Sequence, residues 1–185
     1  MARTASNMLP LGTLAPGFTL HDTISEKELT LFELRGDVAT AVFFICNHCP
    51  FVLHVNEELV AIANEYASKN VQCIAISSND VKNYPADAPN LMRKNASKLN
   101  YPFPYLYDES QEVALAYDAA CTPDIYVFDK NLRLVYRGQL DDSRPGNEIP
   151  VTGKDLRNAL DCLIENIENT EIQKPSIGCN IKWKD

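Results

Sequence analysis

What the chain lacks narrows its function first. Lysine and arginine never gather into a run, and 17 basic residues stand against 25 acidic ones, for a net charge of -8. A phosphate-binding stripe is therefore missing, and nucleic acid is not an expected partner. No apolar stretch approaches the length of a bilayer span, so no membrane partner is expected either. The opening residues Met1 to Met8 place no apolar core after their single arginine. They do not read as a secretory signal, and a soluble cytoplasmic protein is the expectation. Internal repeats and low-complexity segments are also missing. The six cysteines, Cys46, Cys49, Cys73, Cys121, Cys162 and Cys179, are irregularly spaced. That is unlike a secreted disulfide framework and suits a reducing compartment with catalytic thiols.

What is present centres on one stretch, Ala41-Val-Phe-Phe-Ile-Cys46-Asn47-His48-Cys49-Pro50. The apolar run reads as a buried strand, and Pro50 suits the first turn of the helix that follows. Val52, Val55, Leu59, Ile62 and Tyr66 fall on one face of that helix. The two cysteines thus sit where strand becomes helix, where unpaired N–H groups and the helix dipole favour an anion. Cys46 is expected to be the acidic, reactive sulfur. Cys49, one turn on, would close a disulfide with it, and His48 would add positive charge or a hydrogen bond. A zinc half-site and ordinary core cysteines are the other readings of the pair. Zinc needs a second set of paired ligands, and the remaining cysteines and His21 and His54 are scattered.

Along the chain, 185 residues allow one domain with additions. Residues 1–14 read as an irregular arm, 15–170 as the domain and 171–185 as a C-terminal tail. Ala15 to Leu20 and Leu29 to Phe32 suggest two short strands joined by a turn, and Val38 to Ile45 the core strand. Val71 to Ile76 completes a right-handed βαβ unit, with Cys73 in its core. Ser77-Ser-Asn-Asp80 then lies at the carboxyl end of that strand, where turn chemistry or function both explain small polar residues. The pattern predicts a helix capped by Asp87 with Pro89 in its first turn, turning Leu91, Met92 and Leu99 inward. Tyr105 to Tyr107 is a short strand and Glu112 to Tyr117 a short helix. Cys121-Thr122-Pro123 opens a strand to Asp129, and Leu132 to Arg137 is its hairpin partner. Leu156, Leu160, Leu163 and Ile167 stripe a last helix, with Cys162 at its edge. The acidic loop Asp141-Asp142, with Arg144, is placed toward the site and reads as solvated charge or a partner-selecting loop.

A strand ending in Cys-x-x-Cys-Pro, a βαβ unit, Thr122-Pro123 before a β-hairpin and a closing helix together resemble the thioredoxin fold. The opening Ala-Pro-Gly-Phe-Thr-Leu is similar to the branch that groups alkyl hydroperoxide reductases and thiol-specific antioxidants (AhpC/TSA). The tail Pro175 to Trp183 resembles that of uncharacterised bacterial members of the superfamily. The resemblance implies an α/β, three-layer fold with a mixed central sheet, an N-terminal β-hairpin extension and a C-terminal tail. It implies that Pro123 is a cis proline facing the dithiol, and that Thr122 offers its backbone to a bound thiol partner. The expected activity is thiol:disulfide exchange through Cys46 and Cys49 with a protein or small-molecule thiol, without a bound cofactor. Asn47, His48 and Pro50 would be in support, and Cys121 and Cys179 are possible extra redox thiols or packed ones.

Two other functions compete. A peroxidase of the peroxiredoxin kind carries Pro-x-x-x-Thr-x-x-Cys; with Cys49-Pro50 on that cysteine, Cys46 stands at the threonine and Val42 at the proline. The peroxide-binding arginine of that family also has no counterpart, because Thr122-Pro123 occupies its place. The third function is a copper-handling module using Cys46, Cys49 and His48.

Overall fold

The computed structural model of the protein describes residues 3–185. In chain order its first half runs β1 (Arg3–Ala5), β2 (Thr19–Asp22), β3 (Glu28–Thr30), α1 (Leu31–Leu34), β4 (Ala39–Phe44), α2 (Pro50–Ala67) and β5 (Val71–Ser77). Its second half runs α3 (Pro89–Leu99), β6 (Tyr105–Tyr107), α4 (Glu112–Ala116), β7 (Cys121–Thr122), β8 (Asp124–Asp129), β9 (Leu134–Gly138), α5 (Lys154–Glu165) and β10 (Ile177–Asn180). Seven strands form one mixed sheet in the order β3-β2-β6-β5-β4-β8-β9. β4, β5 and β6 are parallel neighbours, and β8 and β9 add an antiparallel hairpin beside β4.

Every residue of β4 is buried, which is why it reads as a continuous apolar run rather than an alternating one. Its alternate side chains still serve different layers. Ala41, Phe43 and Ile45 pack under α2, α3 and α5, whereas Val42 and Phe44 pack on the opposite face with Leu31, Ala114 and Tyr117. Helices therefore cover both faces, giving the three layers of a thioredoxin-like α/β fold.

Several elements depart from the sequence expectations. The stretch Leu29 to Phe32 does not continue as strand. Thr30 accepts a hydrogen bond from the Glu33 amide at 3.2 Å, and the Glu33 carboxylate accepts one from the Thr30 amide at 2.9 Å. That capping box starts α1 at Leu31. Asp87 is not the cap of α3; Ala88 holds that position and Pro89 is the first helical residue. Met92 and Ala96 turn inward, while Leu91 is exposed. The arm is not wholly irregular and the tail is not loose. β10 pairs antiparallel with β1 on one side and with β7 on the other, forming a second sheet in the order β1-β10-β7. The one tryptophan, Trp183, is 41% exposed and does not anchor the tail. Backbone pairing holds the tail instead.

Candidate active site

β4 ends abruptly because the chain turns into α2 after Ile45, whose amide makes the last sheet bond, to the Ile76 carbonyl at 2.9 Å. Cys46, Asn47 and His48 form the turn, and Cys49 is the N-cap of α2 with Pro50 directly behind it. The Cys49 backbone is extended, and its carbonyl accepts the first helical bond, from Leu53 at 2.9 Å. Cys49 stands at the start of an 18-residue helix, and its side chain makes no capping hydrogen bond there.

Three groups converge on the two sulfurs. The Cys46 Sγ lies 3.5 Å from the Thr122 Oγ1. The Cys49 thiol donates to the Thr122 carbonyl at 3.1 Å, and its Sγ is 2.8 Å from the Sγ of Cys179. The Thr122–Pro123 peptide is cis. Both sulfurs of the pair are covered, Cys46 being 1% and Cys49 0% exposed.

The sequence placed the acidic sulfur at Cys46; the structure gives the stronger support to Cys49. Hydrogen bonding from Cys46 pulls the Cys49 thiol well below the ordinary range against the opposing effect of burial, with help from Cys179 and the Val52 amide. Cys46 is driven the other way, by that same bond, by burial and by the charge of Asp87. Magnitudes explain the difference. A helix dipole contributes roughly 0.3–1 kcal/mol, less than the 1.36 kcal/mol of one pKa unit, while a hydrogen bond to a charged group contributes roughly 1.5–3 kcal/mol. The donors to Cys49 set the direction, against burial and against the Thr122 carbonyl, an acceptor that favours the protonated thiol. The two thiols share one readily lost proton.

Asp87, read from the sequence as a cap, is the residue that shapes the turn. Its fully buried carboxylate accepts from the Asn47 amide at 2.8 Å and from the Asn79 side chain at 2.8 Å. His48 brings Nδ1 within 2.7 Å of it, close enough for an ion pair though misaligned for a hydrogen bond, and stacks on Tyr84 with ring centroids 5.8 Å apart. The Asn47 side chain donates to the Ala86 carbonyl at 2.9 Å and accepts from Tyr105 at 3.3 Å. Asn47 and His48 thus fix the turn against the Asp87 loop, with a His48 ring nitrogen within 4.8 Å of the Cys46 sulfur.

The other candidates separate. Cys121 is buried, and its thiol donates to the Pro123 carbonyl at 3.6 Å; burial pushes its pKa up, as for an inert packed thiol. Asp141 is buried and serves its own loop, accepting from the amides of Ser143, Thr152 and Gly153. Asp142 pairs with Lys154 and Lys174. For a metal, the ligand atoms of Cys46, His48 and Asp87 lie within 4.8 Å of one another. That set includes Asp87 and leaves out Cys49, unlike the copper expectation.

A mixed sheet covered on both faces by helices, with a Cys-x-x-Cys turn where β4 meets α2, defines the thioredoxin-like class. The chain belongs to the AhpC/TSA family, whose model matches residues 11–137. It is similar over its whole length to an uncharacterised conserved protein from Geobacillus kaustophilus, with 59% identity, a TM-score of 0.98 and coverage of 100% of this chain and 97% of that one. A hypothetical protein from Sinorhizobium meliloti is 45% identical with a TM-score of 0.95, each chain being covered over 98%. A putative thioredoxin from Neisseria meningitidis shares the fold at 22% identity and a TM-score of 0.63, over 82% of this chain and 90% of that one. None of the curated proteins matches.

Proposed function

We propose that the protein is a thiol:disulfide oxidoreductase that exchanges two electrons between its Cys46–Cys49 dithiol and a disulfide-bearing protein or small molecule. The observation that carries this reading is the geometry at the start of α2, where the Cys46 and Cys49 sulfurs lie against the hydroxyl and carbonyl of Thr122, ahead of the cis Thr122–Pro123 peptide. The Cys49 thiolate attacks one sulfur of the partner disulfide, forming a mixed disulfide as the partner's S–S bond breaks and its other sulfur departs with the electron pair. Cys46 then attacks the Cys49 sulfur, closing the internal disulfide. The proton of Cys46 goes to the second partner thiolate as that leaves. The partner is reduced, the dithiol is oxidised, and no bound cofactor takes part. A reducing compartment such as the cytoplasm would reset the pair.

Trapping the mixed disulfide tests the assignment. With glutathione disulfide, Cys46→Ser combined with Cys179→Ser should accumulate a stable adduct on Cys49, and turnover should fall at least about a hundredfold in Cys46→Ser or Cys49→Ser alone, as expected when a nucleophile or its partner is lost. An adduct that forms only on Cys46 of the Cys49→Ser variant would reverse the two roles, and undiminished turnover in both would overturn the reading.

A second reading, thiol-dependent peroxide reduction, is favoured by the family match and by the ionised position of Cys49 before Pro50. It would run through a Cys49 sulfenic acid. Rapid hydrogen peroxide consumption by the reduced protein in stopped flow, lost in Cys49→Ser and kept in Cys46→Ser, would establish it.

A further inference from the structure

We propose that β10 is a built-in substrate strand, occupying the backbone edge that faces the dithiol and presenting Cys179 as a third exchanging thiol. This rests on the dithiol reading above and extends it to the tail.

The edge in question is β7, whose Thr122 carbonyl lies 3.1 Å from the Cys49 sulfur. Any strand added to that edge brings the residue opposite Thr122 to the reacting atoms, as in peptide recognition by β-augmentation. β10 is that strand, and the residue opposite Thr122 is Cys179. Its sulfur meets Cys49 at 2.8 Å. Gly178 makes the approach possible, since a Cβ there would fall 2.0 Å from the Thr122 carbonyl oxygen.

The strand is held at both ends by polar contacts. The Ser176 hydroxyl donates to the Pro123 carbonyl at 2.6 Å, and the Ile181 amide to the Ala120 carbonyl at 3.1 Å. Beyond it the Lys182 amide donates to the Asn79 side chain at 2.8 Å, while the Lys182 carbonyl accepts from the Asp80 amide and from Gln111, both at 2.8 Å. Asn79 also holds Asp87, so the loop after β5 joins the tail to the dithiol turn.

The step is an isomerisation. When Cys46 and Cys49 are joined, Cys179 attacks the Cys49 sulfur; the Cys49–Cys179 bond forms and the Cys46–Cys49 bond breaks. The electron pair leaves on Cys46, which takes the proton given up by Cys179. No external oxidant or reductant enters, and Cys46 is returned as a thiol while Cys49 stays blocked.

Thiol trapping on the full-length chain tests this. The protein is equilibrated across glutathione redox buffers, acid-quenched, alkylated and digested with trypsin. Cys46 and Cys49 share the tryptic peptide Gly36–Lys69, so their bond leaves one lighter peptide, whereas a Cys49–Cys179 bond links it to the peptide ending at Lys182. The expected result is both species in the native chain, only the Cys49–Cys179 link in Cys46→Ser, and only the Cys46–Cys49 bond in Cys179→Ser. Full alkylation of Cys179 at every potential, in the native chain and in Cys46→Ser, would overturn the proposal while leaving the dithiol reading intact if the Cys46–Cys49 bond forms. Absence of any internal disulfide in the native chain would overturn both.

Discussion

At the scale of single residues, ionisation is governed by hydrogen-bond donors and nearby charge, and both can be varied. Because the Cys49 thiol is lowered, its thiolate persists through neutral pH and is lost only on the acid side. The thiolate absorbance of the reduced protein should therefore keep one equivalent at pH 7, retained in Cys46→Ser and missing in Cys49→Ser. The Asp87 charge opposes ionisation of Cys46. Asp87→Asn should ease it, stabilise the reduced pair and raise the reduction potential, on the order of 30 mV for a tenfold shift against glutathione. An unchanged potential would show that the Asp87 charge does not reach the pair. Asp124 offers a stability test away from the sulfurs. Burial raises its carboxyl to about 7, and its Oδ1 has no hydrogen-bond partner. A raised carboxyl favours the folded state below its unfolded value, and that contribution is lost as pH rises through the folded value. Unfolding midpoints of Asp124→Asn should thus gain on the native protein between pH 4 and pH 7, by up to about 1.4 kcal/mol per pH unit. A constant difference across that range would refute the assignment.

Among the elements, β10 offers the sharpest test. Gly178→Val puts side-chain atoms into the Thr122 carbonyl and should force β10 off β7. The expected result is faster hydrogen exchange at the Ile181 amide, a lower melting temperature and faster reaction of the dithiol with peptide disulfides. Unchanged exchange at Ile181 would show that β10 does not depend on that close approach. The same elements show what could be read from the sequence. β4, α2, β5 and the β8–β9 hairpin were legible because local periodicity and turn residues specify them, and the position of Cys46 and Cys49 followed. The capping box at Thr30 and Glu33 was in plain view but outweighed by the β-rich run around it. Asp87, Asn79 and β10 were not legible in function, because each acts on a partner far along the chain and nothing local marks it. The tail's cysteine could be seen as a candidate; its register opposite Thr122 could not.

On the scale of the whole molecule, the charge of -8 sets an approach field rather than a contact. Basic disulfide peptides should react faster than acidic ones of the same length, and the ratio should shrink as salt rises, since the screening length is about 10 Å at 0.1 M. A ratio indifferent to salt would assign the preference to local pockets. A final consequence follows from where the sulfurs lie, for Cys46, Cys49 and Cys179 belong to the same apolar cluster that α2, α3 and α5 build on the sheet. The chemistry proposed above and structural integrity would therefore share the same atoms. Conversion of one of these thiols to a sulfinic acid would add two oxygens to a closely packed interior and could not be reversed by thiol exchange. Such damage should lower the melting temperature along with the reactivity, and thermal unfolding of peroxide-treated protein measures both losses together.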